Sequence, residues 1–373
     1  MEELLEKIKS VRHVLLPGPI DVEEDVLAKA SIKPTSYRSS EFIELFLKTH
    51  SMLKEVLGLH RGEVVVLTGS GALGLDAVAA SLTCGWNPRI LVPVYGYFGE
   101  FAREILSRHC GCVETILYDY YNPPDKDRLL RDIGERDFDI LVLVHCETST
   151  GYTYRFLRDV ARVVREKNAY LVVDAVSSVG AEEIRMDEWG VDVVVAASQK
   201  ALGGIPGLAI VGLSDRVVEL IGKLKGSGCR PPFYMDLGLY IEYLRNYKCS
   251  ITTPGVNAFY TLYASLLKIL GYGLDNYIRL HRERAMAVYK CIEEHGLETI
   301  VSDNTYRSHS VVVIKTPGRA FDVVESVYRD KKVLIAPGLG GMAGDVVRIG
   351  VMGFVDTSVV VDVIRYIASV LKR

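Results

Sequence analysis

The chain has 373 residues, 49% of them hydrophobic and 24% charged, with a formal net charge of −3. That length sets an expectation of two domains around a large core. The two signs of charge are interspersed, so nucleic acid and a membrane surface are not expected partners.

The opening MEELLEKIKSVRH has no apolar core of signal-peptide length, and no run reaches the ~18 apolar residues of a membrane helix. A cytoplasmic protein is expected. Residues 1–20 read as an N-terminal arm: a short charged helix, then Leu16-Pro17-Gly18-Pro19 as a rigid turn. An amphipathic helix is predicted from Glu41 to Leu57, capped by Ser39 or Ser40 and ended by Gly58.

Strands and helices then alternate, the pattern of βαβ units and a mostly parallel sheet. Seven apolar runs read as strands, near residues 63–67, 89–94, 112–118, 139–144, 170–173, 191–197 and 207–213. Thr252-Thr253-Pro254-Gly255 marks a break. Beyond it come long helical runs, near 257–270 and 274–295, then short strands near 310–315, 333–335 and 345–349 with helices between and after them. The fold class is therefore α/β, with a large domain over 21–255 and a smaller C-terminal α/β domain over 256–373.

The seven cysteines (84, 110, 112, 146, 229, 249 and 291) include one close pair, Cys110 and Cys112, after His109. No second pair completes a zinc site, so no metal is expected. All seven read as buried small hydrophobes or inert surface thiols.

Asp174 ends the run Tyr170–Val173, and Ser198-Gln199-Lys200 ends the run Val191–Ala197. Continuously apolar runs of this kind are buried parallel strands, and ligands of open α/β sheets sit at their carboxyl ends. An acid and an amine thus reach one sheet edge, as pyridoxal phosphate requires: a carboxylate for the ring nitrogen and a lysine to form an imine with the aldehyde. Either residue alone is equally read as a cap, a metal or ribose ligand, or a solvated side chain.

Gly69-Ser70-Gly71-Ala72-Leu73-Gly74 lies between a strand and a helix and matches G-x-G-x-x-G. Small residues there let helix N-terminal amides approach a phosphate. A dinucleotide reading wants an acid at the end of the next strand, but that strand ends at Tyr95 and the nearest acid is Glu100. A phosphate site fits better than NAD. Phe98, between two residues of a glycine-flanked turn, reads as a ring-stacking or a core aromatic. Thr148 reads as a donor to a ring oxygen or as a turn-forming residue. Arg348 falls within the apolar strand VVRIG, where a guanidinium needs either a substrate carboxylate or an internal salt bridge. His145, at a strand end, is the histidine to consider for acid–base work, although a structural hydrogen bond is its commoner fate.

Together LLPGPIDVEEDVL, YRSSEF, TGSGALGLDA, GYFGEFA, HCETSTG, VVDAVSSVGA, ASQKALGGIPGLA, TTP and VVRIGVMG resemble the class V aminotransferases, in the alanine–glyoxylate and serine–pyruvate branch. The resemblance covers nearly the whole chain. It implies a type I pyridoxal-phosphate transferase fold and a homodimer with active sites at the interface. Lys200 would then bind the cofactor covalently and Asp174 would pair with its ring nitrogen. Ser70, Gly71, Ala72 and Gln199 would hold the phosphate region, Phe98 would stack on the ring and Thr148 would contact its oxygen. Arg348 would clamp the substrate carboxylate, with Gly18 beside the substrate. Thr252 matches a threonine that reaches the neighbouring subunit's cofactor phosphate. The tyrosine that often lies three residues earlier is replaced by Cys249, with Tyr247 as a possible substitute. The implied reaction moves an amino group from a small amino acid such as alanine or serine to glyoxylate or pyruvate. No second arginine is clearly placed for a side-chain carboxylate, which favours such donors over aspartate unless Arg38 or Arg230 folds in. Three alternatives share parts of this pattern: a cysteine desulfurase or related lyase, an NAD-dependent dehydrogenase, and a non-enzymatic cofactor-binding regulator.

Overall fold

The computed structural model describes the backbone of residues 2–372 and the side chains of residues 4–372. The chain begins α1 (Glu2–Lys9), β1 (His13–Val14), α2 (Glu24–Leu27), α3 (Ser40–Leu57), β2 (Glu63–Thr68), α4 (Gly71–Thr83), β3 (Ile90–Val94), α5 (Tyr97–Ser107) and β4 (Val113–Leu117). It continues α6 (Lys126–Gly134), β5 (Ile140–Val144), β6 (Cys146–Glu147), β7 (Tyr152–Thr153), α7 (Leu157–Glu166), β8 (Tyr170–Asp174), α8 (Met186–Trp189), β9 (Val193–Ala197) and β10 (Leu208–Leu213). The remainder is α9 (Asp215–Gly226), α10 (Leu237–Tyr247), α11 (Val256–Tyr272), α12 (Leu274–Glu294), β11 (Val311–Lys315), α13 (Ala320–Lys331), β12 (Val333–Leu334), β13 (Ala336–Pro337), β14 (Val346–Gly350) and α14 (Thr357–Leu371).

Seven strands form the main sheet in the order β2-β10-β9-β8-β5-β3-β4. Only β10 runs against its neighbours, pairing antiparallel with both β2 and β9. The expected mostly parallel sheet is therefore present, and the carboxyl ends of β2, β3, β5, β8 and β9 share one edge. Alternate strand residues enter different cores, as a pleat of period two requires. Val64, Val66, Leu171, Val173, Val194 and Ala196 meet α3, α7 and α11. Val65, Leu67, Val172, Val193 and Val195 meet α4, α5, α9 and α10 on the other face. Both faces are covered, which is why these strands read as unbroken apolar runs.

The three-stranded sheet β11-β14-β13 and helices α12–α14 enclose a separate core that includes Leu15 from the arm. The arm is tied in by β1, which pairs in parallel with β12. The boundary expected near 256 falls at the start of α11. Phe259 of that helix packs against Phe42 and Phe46 of α3, so its apolar face lies in the large core and the C-terminal core begins with α12.

The reading of all seven cysteines as isolated thiols is corrected. Cys84 and Cys229 form a disulfide that ties the end of α4 to the segment after α9, across a sequence separation of 145 residues. No helix among the described residues is long and apolar enough to cross a membrane.

Candidate active site

At the shared sheet edge lies a cavity of about 250 Å³, and its walls include Gly18, Ser70, Gly71, Ala72, Phe98, Thr148, Asp174, Gln199 and Lys200. Nine of the expected site residues, drawn from separate segments of the chain, therefore converge on one space. Added to them are Pro19, Phe101, Cys146, Val176 and Ser177, which were not singled out from the sequence.

Lys200 follows β9 and reaches toward the arm, where its ammonium donates to the Pro17 carbonyl. Burial lowers its pKa to about 8, with the nearby Arg348 charge acting in the same direction and Cys146 and Asp174 opposing. An amine so placed gives up its proton near neutrality, as a nucleophile or proton carrier must. A Cβ on Gly18 would lie 2.5 Å from Lys200 side-chain carbons, and the φ of Gly18 is +123°, so this position needs glycine on both counts.

Asp174 ends β8 and accepts the Val176 amide at 3.0 Å. Burial raises its pKa, against that hydrogen bond and the Lys200 charge. It makes no ion pair among the described residues, so a cationic partner in the cavity would hold it ionised.

Ser70 occupies the N-cap of α4, yet its hydroxyl does not close onto the helix. The hydroxyl and the first amides of a 13-residue helix are left facing an anion site. The glycines of G-x-G-x-x-G serve close packing: a Cβ on Gly71 would lie 2.6 Å from Val176, and one on Gly74 2.9 Å from Val195. Beside this helix end, Gln199 Oε1 is buried with no hydrogen-bond partner among the described residues. A buried carbonyl oxygen without a donor marks where a ligand is missing. Thr148 Oγ1 lies 2.6 Å from Ser177 Oγ, a pair of hydroxyls able to turn toward a ring oxygen.

Phe98 opens α5, and its position is fixed by Glu147. This fully buried carboxylate accepts the amides of Phe98 (3.3 Å), Gly99 (3.1 Å) and Ser149 (3.0 Å) and the Ser149 hydroxyl (2.5 Å). Glu147 thus satisfies the start of α5 from a distant strand end. A sequence signal existed, since an acid stands within HCETSTG, but its partners are about 50 residues away.

Arg348 lies in the middle of β14, opposite Val313 and Ala336. It is 7% exposed, its Nε donates to the Pro337 carbonyl at 2.8 Å, and it makes no ion pair among the described residues. Burial lowers its pKa to about 10, partly offset by Glu147. The internal salt bridge that would have explained this arginine is thus not formed, and its remaining nitrogens suit a carboxylate. It stands beside the cavity, not in its walls.

His145 does not line the cavity: its Nδ1 lies 2.9 Å from Ser178 Oγ, and burial lowers its pKa to about 4. Thr252 and Tyr247 do not line the cavity of their own chain. Thr252 is part-exposed in a bend after α10, and Tyr247 is exposed with its ring 5.0 Å from Tyr243.

The fold and site define a pyridoxal-phosphate-dependent transferase of type I. The class-V aminotransferase family model matches residues 25–361. An uncharacterised aminotransferase of Methanocaldococcus jannaschii is 30% identical, over 98% of this chain and 94% of that protein. The structure of an alanine–glyoxylate aminotransferase from Nostoc superposes with a TM-score of 0.89 at 27% identity, over 97% of this chain and 96% of that one. An aspartate aminotransferase from Thermus thermophilus superposes with a TM-score of 0.85 at 30% identity, over 96% and 99%. The chain belongs to the class V aminotransferase family.

The residues present fit pyridoxal phosphate. A helix N-terminus would face its phosphate with the Gln199 side-chain amide beside it, Asp174 needs a cation, and Lys200 supplies a readily deprotonated amine.

Proposed function

We propose that this protein is a pyridoxal-phosphate-dependent aminotransferase that moves the amino group of a small amino acid, alanine or serine, to glyoxylate or pyruvate. The observation that carries this reading is the convergence of Lys200 and Asp174, from the ends of neighbouring strands, on one cavity at the N-terminus of α4. The family's relatives with glyoxylate as acceptor, among them an alanine–glyoxylate aminotransferase of Drosophila melanogaster at 27% identity, support the reaction class.

When bound, the cofactor supplies an aldehyde for the amine and a protonated ring that accepts electrons from the substrate α-carbon. The rest falls to the protein. Asp174, a carboxylate in a buried setting, would keep the ring nitrogen protonated. Ser70, the amides of Gly71 and Ala72, and Gln199 would hold the phosphate. Phe98 would pack against the ring and Thr148 would contact its oxygen. Arg348 takes the substrate carboxylate in a two-pronged contact that orients the α-hydrogen, and Lys200 carries the proton away from that carbon and returns it. The absence of a side chain at Gly18 leaves Lys200 its room, and the Pro17 carbonyl holds its ammonium.

The working unit is a homodimer in this proposal, with Thr252, which lies off the cavity of its own chain, reaching the partner's cofactor phosphate. Cys249 occupies the position three residues earlier, and in this proposal Tyr247, exposed at the end of α10, takes the tyrosine's part.

The test is an absorption spectrum of the purified protein, before and after alanine, serine or aspartate is added singly. A visible band that alanine or serine bleaches is expected. A protein that stays colourless with added pyridoxal phosphate would overturn the assignment of Lys200 and Asp174, and bleaching by aspartate alone would overturn the donor class.

A further inference from the structure

Helix α12 carries a stripe of buried polar side chains that the reaction above does not use. Tyr277, His281 and Arg284, spaced four and three residues apart, share one face of the helix. They are 0%, 0% and 2% exposed. The Tyr277 hydroxyl donates to the carbonyl of Ala201, the residue after Lys200, at 2.7 Å. His281 Nδ1 donates to the Tyr277 carbonyl at 2.8 Å, and its Nε2 accepts the Gly353 amide at 3.0 Å. These two contacts require a neutral imidazole with its proton on Nδ1. Arg284 Nη1 donates to the carbonyls of Val351 and Gly353, at 2.8 and 2.9 Å, while its Nε has no partner among the described residues. Arg284 makes no ion pair among those residues.

The segment gripped in this way, Val351–Gly353, directly follows the strand that bears Arg348. The arm closes the same circuit. The Gly350 amide donates to the Leu15 carbonyl at 2.8 Å, and two residues further along the arm the Pro17 carbonyl accepts from Lys200. One stiff helix is therefore bonded near its N-terminus to the Lys200 turn and near its middle to the exit of the Arg348 strand. Packing alone does not account for this. A guanidinium buried without a carboxylate is costly, and an apolar side chain of similar volume would fill the space better. What the polar groups add is direction, since each bonds a particular backbone group.

We propose that Tyr277, His281 and Arg284 are positioning residues: a strut on α12 that sets the separation and orientation of Arg348 relative to Lys200, and so the affinity for the substrate carboxylate. This rests on the assignment of Arg348 as the carboxylate clamp.

The experiment compares wild type with His281→Leu, which removes the acceptor for Gly353, and His281→Gln, which returns an acceptor near the Nε2 position. Propionate serves as a monocarboxylate probe, its binding measured by calorimetry on cofactor-loaded and cofactor-free protein. Amide hydrogen exchange over 350–355 and steady-state kinetics with alanine complete the set. Loss of the bond that fixes the loop is expected to weaken propionate binding and raise KM about tenfold in His281→Leu, with kcat changed less than about threefold. Exchange should quicken at 351–353 and not in β14, and His281→Gln should restore most of the affinity. Faster exchange at 351–353 with propionate affinity and KM unchanged would overturn the proposal. So would a general loss of stability in which kcat and KM change without any preference for the carboxylate. If His281→Leu does not fold, Tyr277→Phe, which cuts only the Ala201 contact, must give the same KM-against-kcat split for the proposal to stand. A protein without the cofactor's visible band would fail the functional reading instead, and the propionate and exchange arms on the cofactor-free protein would still decide the strut.

Discussion

Replacing Lys200 with methionine should stabilise the cofactor-free protein while abolishing its reaction. The amine has a pKa of 10.5 free in water and about 8 in the folded chain, chiefly through burial. That difference corresponds to about 3 kcal/mol of destabilisation while both states hold the proton. Methionine fills similar volume without the charge but forfeits the bond to the Pro17 carbonyl, worth about 1 kcal/mol. A net gain of about 2 kcal/mol at pH 7 follows.

The sign with pH is definite. Below about pH 8 the folded and unfolded chains both carry the proton, and wild type bears the full cost of the buried charge. Between about 8 and 10.5 the folded chain has released the proton while the unfolded chain still holds it, so wild-type stability rises with pH. Urea unfolding of cofactor-free wild type and Lys200→Met at pH 7 and at pH 10 measures both points. The variant should be the more stable at pH 7, with most of the gap closed at pH 10. A variant no more stable at pH 7, or a gap independent of pH, would refute the placement of a strained cationic lysine.

Four further outcomes are expected. Asp174→Asn should lower kcat by about three orders of magnitude with the cofactor still bound, because the amide cannot keep the ring nitrogen protonated; steady-state rates check it. Arg348→Met should raise KM for amino and oxo acid about 100-fold and move kcat much less, and equal KM values would place the clamp elsewhere. Gly18→Ala puts a Cβ 2.5 Å from Lys200 at a φ of +123°, so it should slow cofactor uptake, followed by the visible band, and cost about 1–3 kcal/mol of stability. Cys84→Ser opens a loop of 145 residues and should cost up to about 5 kcal/mol on the chain-entropy account, read by urea unfolding against disulfide-bonded wild type.

Much of this site was legible because the chemistry sits where regular structure ends. Asp174, Lys200 and Ser70 each follow an apolar run, and in an open α/β sheet such ends share an edge. What stayed hidden depends on contacts between distant segments. Glu147 holds Phe98 across 49 residues, Tyr277 reaches Ala201 across 76, and Cys84 meets Cys229 across 145. No local period encodes such pairings.

The unsatisfied groups of the site make one argument when taken together. Asp174 lacks a cation, Gln199 lacks a donor, and Arg348 lacks a carboxylate, among the described residues. Each is buried or nearly so, and each would be cheaper as an apolar residue if stability alone were at issue. A protonated ring nitrogen would answer Asp174 and an amino-acid carboxylate would answer Arg348; a phosphate, itself an acceptor, would take the Gln199 side-chain N–H rather than its oxygen. Ring nitrogen and phosphate belong to a cofactor, the carboxylate to a substrate. Asp174 and Gln199 line the cavity, and Arg348 stands beside it on the smaller sheet. The cofactor would therefore be held by the large domain even with no substrate present. Substrate would add the one bond that links the small sheet to the reaction, through Arg348. That division makes the geometry of the small sheet relative to Lys200 the quantity that governs substrate affinity. It is also why a buried polar stripe bonded to both ends matters more for KM than for kcat.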